Sequence, residues 1–312
     1  MLDLRAAEQA ATDAVVGMVT RRDLLTVTGP DAGEYLHGQL SQTVTGLEVG
    51  ASAWTLLLQP QGKVDAWLRL HRRAEDTYLL DLEPGFGAQV IERLKRFMLR
   101  VDLTVTSAEV TVLALRGPGA AAAGSTAAPG VLVLDAAWGD LAGVDLIAPD
   151  HPEDSDDPSG WLSVDVPLGP EELLEVLRVR QGRPAMGTEF NEKTIPAAAR
   201  VVDQSVDFTK GCYVGQELVA RVDSRGNNTP TRLFGLRFDP PAGTDTPAPA
   251  TGAELLADGD MAGTVTSTAV SPTDGMIGLG YLRRAVDVSA KLTVIGADGE
   301  SIDVRAVDLP VG

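Results

Sequence analysis

The 312-residue sequence contains one cysteine, Cys212, and three histidines, His37, His71 and His151. A single thiol excludes any intramolecular disulfide, and a chain of this size without such staples reads as cytoplasmic. One Cys and three scattered His allow no zinc-ligand spacing to be written. The chain alone therefore cannot hold a metal or an iron–sulfur cluster by thiolates. Positive charge is also scarce: 26 Lys and Arg stand against 44 Asp and Glu, a net charge of −18. A surface this acidic repels phosphate backbones and anionic headgroups, which argues against nucleic acid and membrane as partners. No run approaches the ~20 apolar residues of a membrane span. The first residues carry Asp3 and Glu8 and lack the apolar core of a signal peptide.

What is present is the composition of an ordinary folded protein, 44% apolar and 22% charged, with length for two domains or three small ones. Leu24–Thr28 is strand-like, and Pro30 and Asp31 then signal a helix through Leu40. Trp54–Leu58 and Ala66–Leu70 flank the turn Gln59–Lys63, and Tyr78–Leu82 is a third short strand. Gln89–Leu99 carries apolar residues at helical spacing. This mixture predicts an α+β domain. Near Thr229 the pattern changes to short strands with glycine turns, as in MAGTVTS, GMIGLGYLR, AKLTVIG and SIDVRAV, which predicts a small β-barrel or sandwich.

Charge is distributed unevenly. Gly117–Leu177 has no Lys or Arg and twelve acids, several of them in the polar loop HPEDSDDPSG. Arg178–Arg237 then holds ten bases and six acids, a basic island suited to a small anion. Two phosphate-loop lookalikes fail. Gly119–Thr126 has the GxxxxG frame but Ser125 where lysine must stand, and Gly85-Phe-Gly87 lacks its third glycine. The Asn227-Asn228-Thr229 glycosylation pattern has no consequence in a cytoplasmic chain.

The strongest local signal is the run Asp207–Arg221, DFTKGCYVGQELVAR. Gly211 and Gly215 bracket Cys212 and predict a backbone that passes close to something. Gln216–Val222 reads as a helix with Glu217 in its first turn, so Cys212 would lie ahead of a positive helix end with Lys210 nearby. Both influences favour the thiolate and a reactive thiol.

These residues resemble a known family. Lys210-Gly-Cys-Tyr-Val-Gly-Gln-Glu217 is similar to the signature K-G-C-Y-x-G-Q-E of the YgfZ proteins, folate-binding relatives of the glycine-cleavage T-protein. The resemblance extends to Val27–Ala32, Tyr35–Leu40, Pro60–Val64, Arg93–Arg100, Leu177-Arg178 with Gly182–Pro184, and Gly278–Tyr281. It implies a T-protein-like fold of two α+β lobes around a central pocket plus a C-terminal β-barrel. The expected boundaries are a folate-binding region at 1–228, with lobes of about 1–110 and 111–228, and a barrel at 229–312. It also implies tetrahydrofolate as ligand, polyglutamylated or carrying a one-carbon unit, and a role with iron–sulfur client or assembly proteins.

Two departures from the family pattern matter. T-protein enzymes carry Gly-Gly-x-x-Asp-Asp, whereas here Gly62-Lys-Val-Asp-Ala-Trp67 puts Ala66 and Trp67 at the carboxylate positions and leaves Asp65 one residue away. This undermines aminomethyl transfer. Arg180 occupies a position where relatives commonly have Glu. On this reading Trp67 and Tyr213 line a ring slot, Arg178, Arg180 or Arg100 meets the tail carboxylates, and Cys212 and Lys210 carry the chemistry, supported by Gly211, Gly215, Gln216 and Glu217. Three functions stay open: a folate-binding accessory factor for iron–sulfur proteins, a folate-dependent aminomethyl- or methyltransferase with Asp65 as its carboxylate, and a non-catalytic folate sensor or scaffold.

Overall fold

The computed structural model describes residues 1–148, 158–240 and 246–311. His151 and most of the acidic loop at 151–160 lie outside the described residues. The order of elements is α1 (Leu4–Asp13), β1 (Val16–Thr28), α2 (Ala32–Gln39), β2 (Ser52–Leu58), β3 (Val64–Ala74), β4 (Thr77–Leu82), α3 (Gly87–Lys95) and β5 (Thr104–Arg116). The chain continues through α4 (Ala120–Gly124), β6 (Leu132–Asp135), β7 (Gly143–Ile147), α5 (Glu172–Arg180), α6 (Val202–Ser205) and α7 (Gln216–Asp223). Six further strands follow: β8 (Thr231–Asp239), β9 (Glu254–Ala257), β10 (Asp260–Ser271), β11 (Gly275–Arg283), β12 (Leu292–Ile295) and β13 (Ser301–Val307).

The first seven strands form one antiparallel sheet in the order β2-β3-β4-β1-β5-β7-β6. β1 is its spine. It pairs along its whole length with β5, from Val16 against Arg116 to Thr28 against Thr104, and its second half pairs with β4. Residue 110, where one lobe was expected to give way to the next, lies inside β5, and the sheet runs on through it.

Both faces of the sheet are covered. Leu57, Leu68, Leu70 and Leu80 pack beneath α2 and α3, while Leu56, Leu58 and Trp67 pack on the other side against Phe190, Val201 and Val206. The apolar run WTLLL follows from this, because neighbouring residues of a strand face opposite sides and here neither side meets water. The Walker-like run Gly119–Thr126 folds as α4, with Gly124 seated against Val133 and Val144, so it is packing rather than a phosphate loop.

A buried ion network crosses five strands. Arg69 on β3 donates to its cross-strand partner Asp81 on β4 at 2.5 Å and to Asp145 on β7 at 2.9 Å. Arg116 on β5 binds the other oxygen of Asp145 at 2.8 Å, and Arg22 on β1 binds Asp81 at 2.9 Å.

Strands β8 to β13 close a barrel in the order β10-β11-β8-β13-β12-β9, two residues beyond the expected start at 229. The barrel is fastened to the rest through α5. Arg178 donates to Glu189 at 3.0 Å and to Ser267 Oγ of β10 at 2.6 Å, and the fully buried Glu189 accepts from Thr266 and Ser267 at 2.6 and 2.7 Å. Arg180 pairs with Glu8 of α1 and with Asp274 between β10 and β11.

The network makes a stability prediction. Burial pushes the Asp145 carboxyl up, but Arg116 and Arg69 outweigh it and hold it down to about 2. Its folded value lies below the unfolded 3.8, so the unfolded chain takes up that proton first on acidification. The stabilisation is therefore complete above pH 3.8 and lost as the pH falls through about 2. Urea unfolding midpoints from pH 5 to 2 should fall in that window, and Asp145→Asn should flatten the fall. Asp145→Ala should cost about 3 kcal/mol at neutral pH, because Arg116 is left buried without its carboxylate.

Candidate active site

A cavity of about 310 Å³ opens between the sheet face formed by β1, β5 and β7, the side of α5, and the segment 183–186. Its aromatic walls are Trp54 of β2, Phe86 and Trp138. Arg22, Arg116 and Arg178 reach it from their strands and helix, each already held by a carboxylate.

Arg183 is different. Its guanidinium lies 3.8 Å from the ring centroid of Trp54, 4.4 Å from that of Trp67 and 5.3 Å from that of Trp138. Among the described residues this guanidinium has no ion-pair or hydrogen-bond partner; only the Arg183 backbone is bonded, to Arg178. Burial, together with the charges of Arg22, Arg69 and Arg116, pushes it well below its ordinary value against the pull of Glu83. A guanidinium keeps its proton in a protein, so the shift expresses a positive charge that Glu83 only partly offsets. Stacking on indole faces offsets part of that cost.

Glu83 is the cavity's other unusual group. It accepts from Met186 N at 2.5 Å, and burial raises its carboxyl above the usual range although Arg22 and that hydrogen bond pull the other way. Sequence reasoning assigned no role to Arg183 or Glu83. Arg183 was visible as one base of the basic island and as the middle residue of the family-like run Gly182–Pro184, and Glu83 had no signal at all.

The cysteine motif lies elsewhere on the same body. Lys210 Nζ donates to the carbonyls of His37, Leu40 and Gln42 at 2.5, 2.6 and 3.1 Å, capping the C-terminal end of α2. Burial lowers its ammonium to about 8, with Asp207 opposing. Gly215, at φ +84°, precedes α7, and a Cβ there would stand 2.6 Å from the Gln59 carbonyl oxygen. Across that contact Gly62 has φ +74°, and its Cβ would strike Leu218 at 2.5 Å. These two glycines let the motif and the β2–β3 turn touch. Gly211 has no such crowding, its nearest neighbour being His37 Nε2 at 3.9 Å from a built Cβ. Cys212 is exposed, and Glu217 makes a surface pair with Arg221. Gln216 opens α7, its N–H donating to the Tyr213 carbonyl at 3.3 Å.

Several sequence expectations change here. Lys210 holds backbone carbonyls, so its geometry is that of an anchor rather than of an activator of the thiol. Tyr213 and Trp67 do not line the cavity; both are buried in one apolar cluster behind it. Trp67 stacks on Trp54 at 4.6 Å and donates from Nε1 to Ser205 Oγ at 2.9 Å. Asp65 is bound to Arg93 at 2.9 Å and does not face the cavity. Arg178 is engaged by Glu175 and Glu189, and Arg180 by Glu8 and Asp274, because both join α5 to the barrel side. Arg100 is exposed in the loop after α3, away from the cavity. Among the described residues no group of three or more His, Cys, Asp or Glu is placed to hold a metal ion, and no helix is long and apolar enough to cross a membrane.

A seven-stranded sheet, a closed six-stranded barrel and a cavity between the sheet face and α5 define a protein of the glycine-cleavage T-protein fold. Residues 2–131 match the GCVT N-terminal domain and residues 232–311 the glycine cleavage T-protein C-terminal barrel domain. The aminomethyltransferase T of the glycine cleavage system from Bartonella henselae superposes with a TM-score of 0.83 at 21% identity, covering 99% of this chain and 89% of that one. The tRNA-modifying protein YgfZ of Edwardsiella ictaluri is 30% identical over 231 residues, 68% of each chain. The iron-sulfur cluster assembly factor IBA57 homolog of Pyricularia oryzae is 27% identical over 214 residues, 66% of this chain and 53% of its own. The chain belongs to the YgfZ family of T-protein relatives.

Two substitutions test the motif's packing. The buried Tyr213 hydroxyl has no hydrogen-bond partner, so Tyr213→Phe should be neutral or stabilise by up to about 1 kcal/mol. Lys210→Met leaves three carbonyls unsatisfied and should cost about 2 kcal/mol. Urea denaturation of both variants checks the contrast.

Proposed function

We propose that this protein is a tetrahydrofolate-binding accessory factor in the assembly or repair of iron–sulfur clusters in client enzymes. The observation that carries the reading is the cavity, where aromatic walls surround a guanidinium that makes no direct ion pair among the described residues. Tetrahydrofolate joins a flat pterin to a glutamate tail. Trp54, Phe86 and Trp138 suit the ring by stacking, and Arg183 suits a carboxylate. When bound, the folate would supply one-carbon chemistry or a signal of one-carbon status.

Cys212 fits a separate, outward task. Exposed between the motif's two anchors, Lys210 and Gly215, it offers one thiolate ligand to a cluster shared with a client protein. The names of the relatives from Edwardsiella and Pyricularia agree with work on tRNA modification and on clusters. A net charge of −18 opposes direct handling of RNA, so we read an effect on tRNA as passing through a cluster-dependent enzyme. Action in the cytoplasm belongs to the same proposal.

One observation favours a second reading, folate-dependent group transfer. Glu83 provides the cavity carboxyl, with a raised titration, that Asp65 does not.

Calorimetry with tetrahydrofolate should give a 1:1 complex that Trp54→Ala weakens by about tenfold, the loss of one stacking wall. Cys212→Ser should bind folate normally yet fail to restore cluster-dependent enzymes in cells lacking the protein. Full restoration would remove the thiol from the mechanism. Turnover of a one-carbon folate that is lost in Glu83→Gln would establish the transferase instead.

A further inference from the structure

A cavity of about 220 Å³ lies where the chain passes from α7 into the barrel, and it shares no lining residue with the first cavity. Two left-handed residues shape its rim. Gly226 at φ +71° and Asn227 at φ +56° turn the chain back at the end of α7, their N–H groups donating to the carbonyls of Asp223 and Val222. The backbone N–H groups of the next two residues, Asn228 and Thr229, have no acceptor among the described residues. On the barrel side Arg284 N donates to the Pro230 carbonyl at 3.0 Å, which fixes the end of β11 against this loop.

Charge singles the place out. Arg232, Arg283 and Arg284 line it, all exposed and none in an ion pair among the described residues. Arg232 belongs to the basic island of the sequence, and only the fold brings Arg283 and Arg284 beside it. Arg283 reaches the Met261 sulfur, a weak acceptor. No Asp or Glu lines the cavity, in a chain with 44 acids to 26 bases. Neighbouring acids are engaged: Asp308, whose field reaches Arg232, is paired with Arg200, and Asp287 accepts from Ser289. Phe234, Leu282, Val286 and Val288 give the cavity an apolar side.

We propose that this cavity binds the phosphate of a small phosphorylated molecule, at a site independent of the folate reading. Three guanidiniums gathered around one cavity repel one another, and an anion among them relieves that cost. A carboxylate brings one negative charge. A phosphate monoester brings nearly two and offers three oxygens to planar guanidinium forks and to unpaired backbone N–H groups. The apolar side suits an organic portion attached to the phosphate. A small molecule also meets only the local field, whereas a nucleic-acid backbone would run onto the rest of a −18 surface.

The test is calorimetry on the full chain with inorganic phosphate, pyrophosphate and adenosine diphosphate. Each should bind 1:1, adenosine diphosphate more tightly than inorganic phosphate, and all more weakly at high salt. Affinity for inorganic phosphate should rise between pH 5 and 7, as its second proton leaves near ~6. Arg232→Gln and Arg284→Gln should each weaken adenosine diphosphate about tenfold. Both positions are exposed, so urea midpoints and tetrahydrofolate affinity should stay unchanged in these variants. Arg305→Gln, on the barrel surface and paired with Asp239, should bind every probe normally. Absence of binding by all three probes at millimolar concentration overturns the site, and so does an equal loss in Arg305→Gln, which would mark a bulk-charge effect. Binding of single-stranded RNA without binding of the three small probes overturns the small-molecule assignment. Failure of tetrahydrofolate to bind would remove the folate reading and leave this site untouched.

Discussion

A buried arginine demands a carboxylate, and the architecture is arranged around meeting that demand. Arg22, Arg69 and Arg116 are answered by Asp81 and Asp145, and the answer ties β1, β3, β4, β5 and β7 into one sheet. Arg178 and Arg180 are answered by Glu175, Glu189, Glu8 and Asp274, and that answer seats the barrel on the sheet. The pairs are not a reservoir of stability, since desolvating two ions offsets most of their attraction. They act as constraints: any arrangement that separates a partner leaves a charge stranded. Against this background Arg183 stands apart as the half-buried cation that the fold surrounds with indole rings and, among the described residues, pairs with no carboxylate.

The cysteine motif and the cavity are distinct places joined by packing. Gly215 meets the β2–β3 turn through Gln59 and Gly62, Tyr213 shares a cluster with Trp67, and Trp67 stacks on Trp54 at the cavity wall. That continuity places the cavity wall and the motif that presents Cys212 in one packed cluster.

Much of the fold was legible in the sequence. Short strand-like runs between turns, Pro30 with Asp31, and the helical spacing of residues 89–99 locate elements because each depends on near neighbours in the chain. The first strand was read as Leu24–Thr28, whereas β1 begins at Val16. Its early residues include Arg22, which looks like surface until Asp81 is brought beside it. The site was read less well for the same reason. Trp67, Asp65, Arg178 and Arg180 are the residue types a folate pocket needs, but each is claimed by a partner far away in sequence: Ser205, Arg93, Ser267 and Glu8.

The sequence by itself determined the α+β class, the C-terminal barrel, the family and the existence of a marked cysteine. Those properties lie in local patterning, turn chemistry and a contiguous motif. Only the tertiary structure decided which charges are compensated. A counter-ion is a neighbour in space, and whether an arginine is an internal strut, as Arg178 is, or a cation stacked on indole rings, as Arg183 is, depends on where distant carboxylates come to rest.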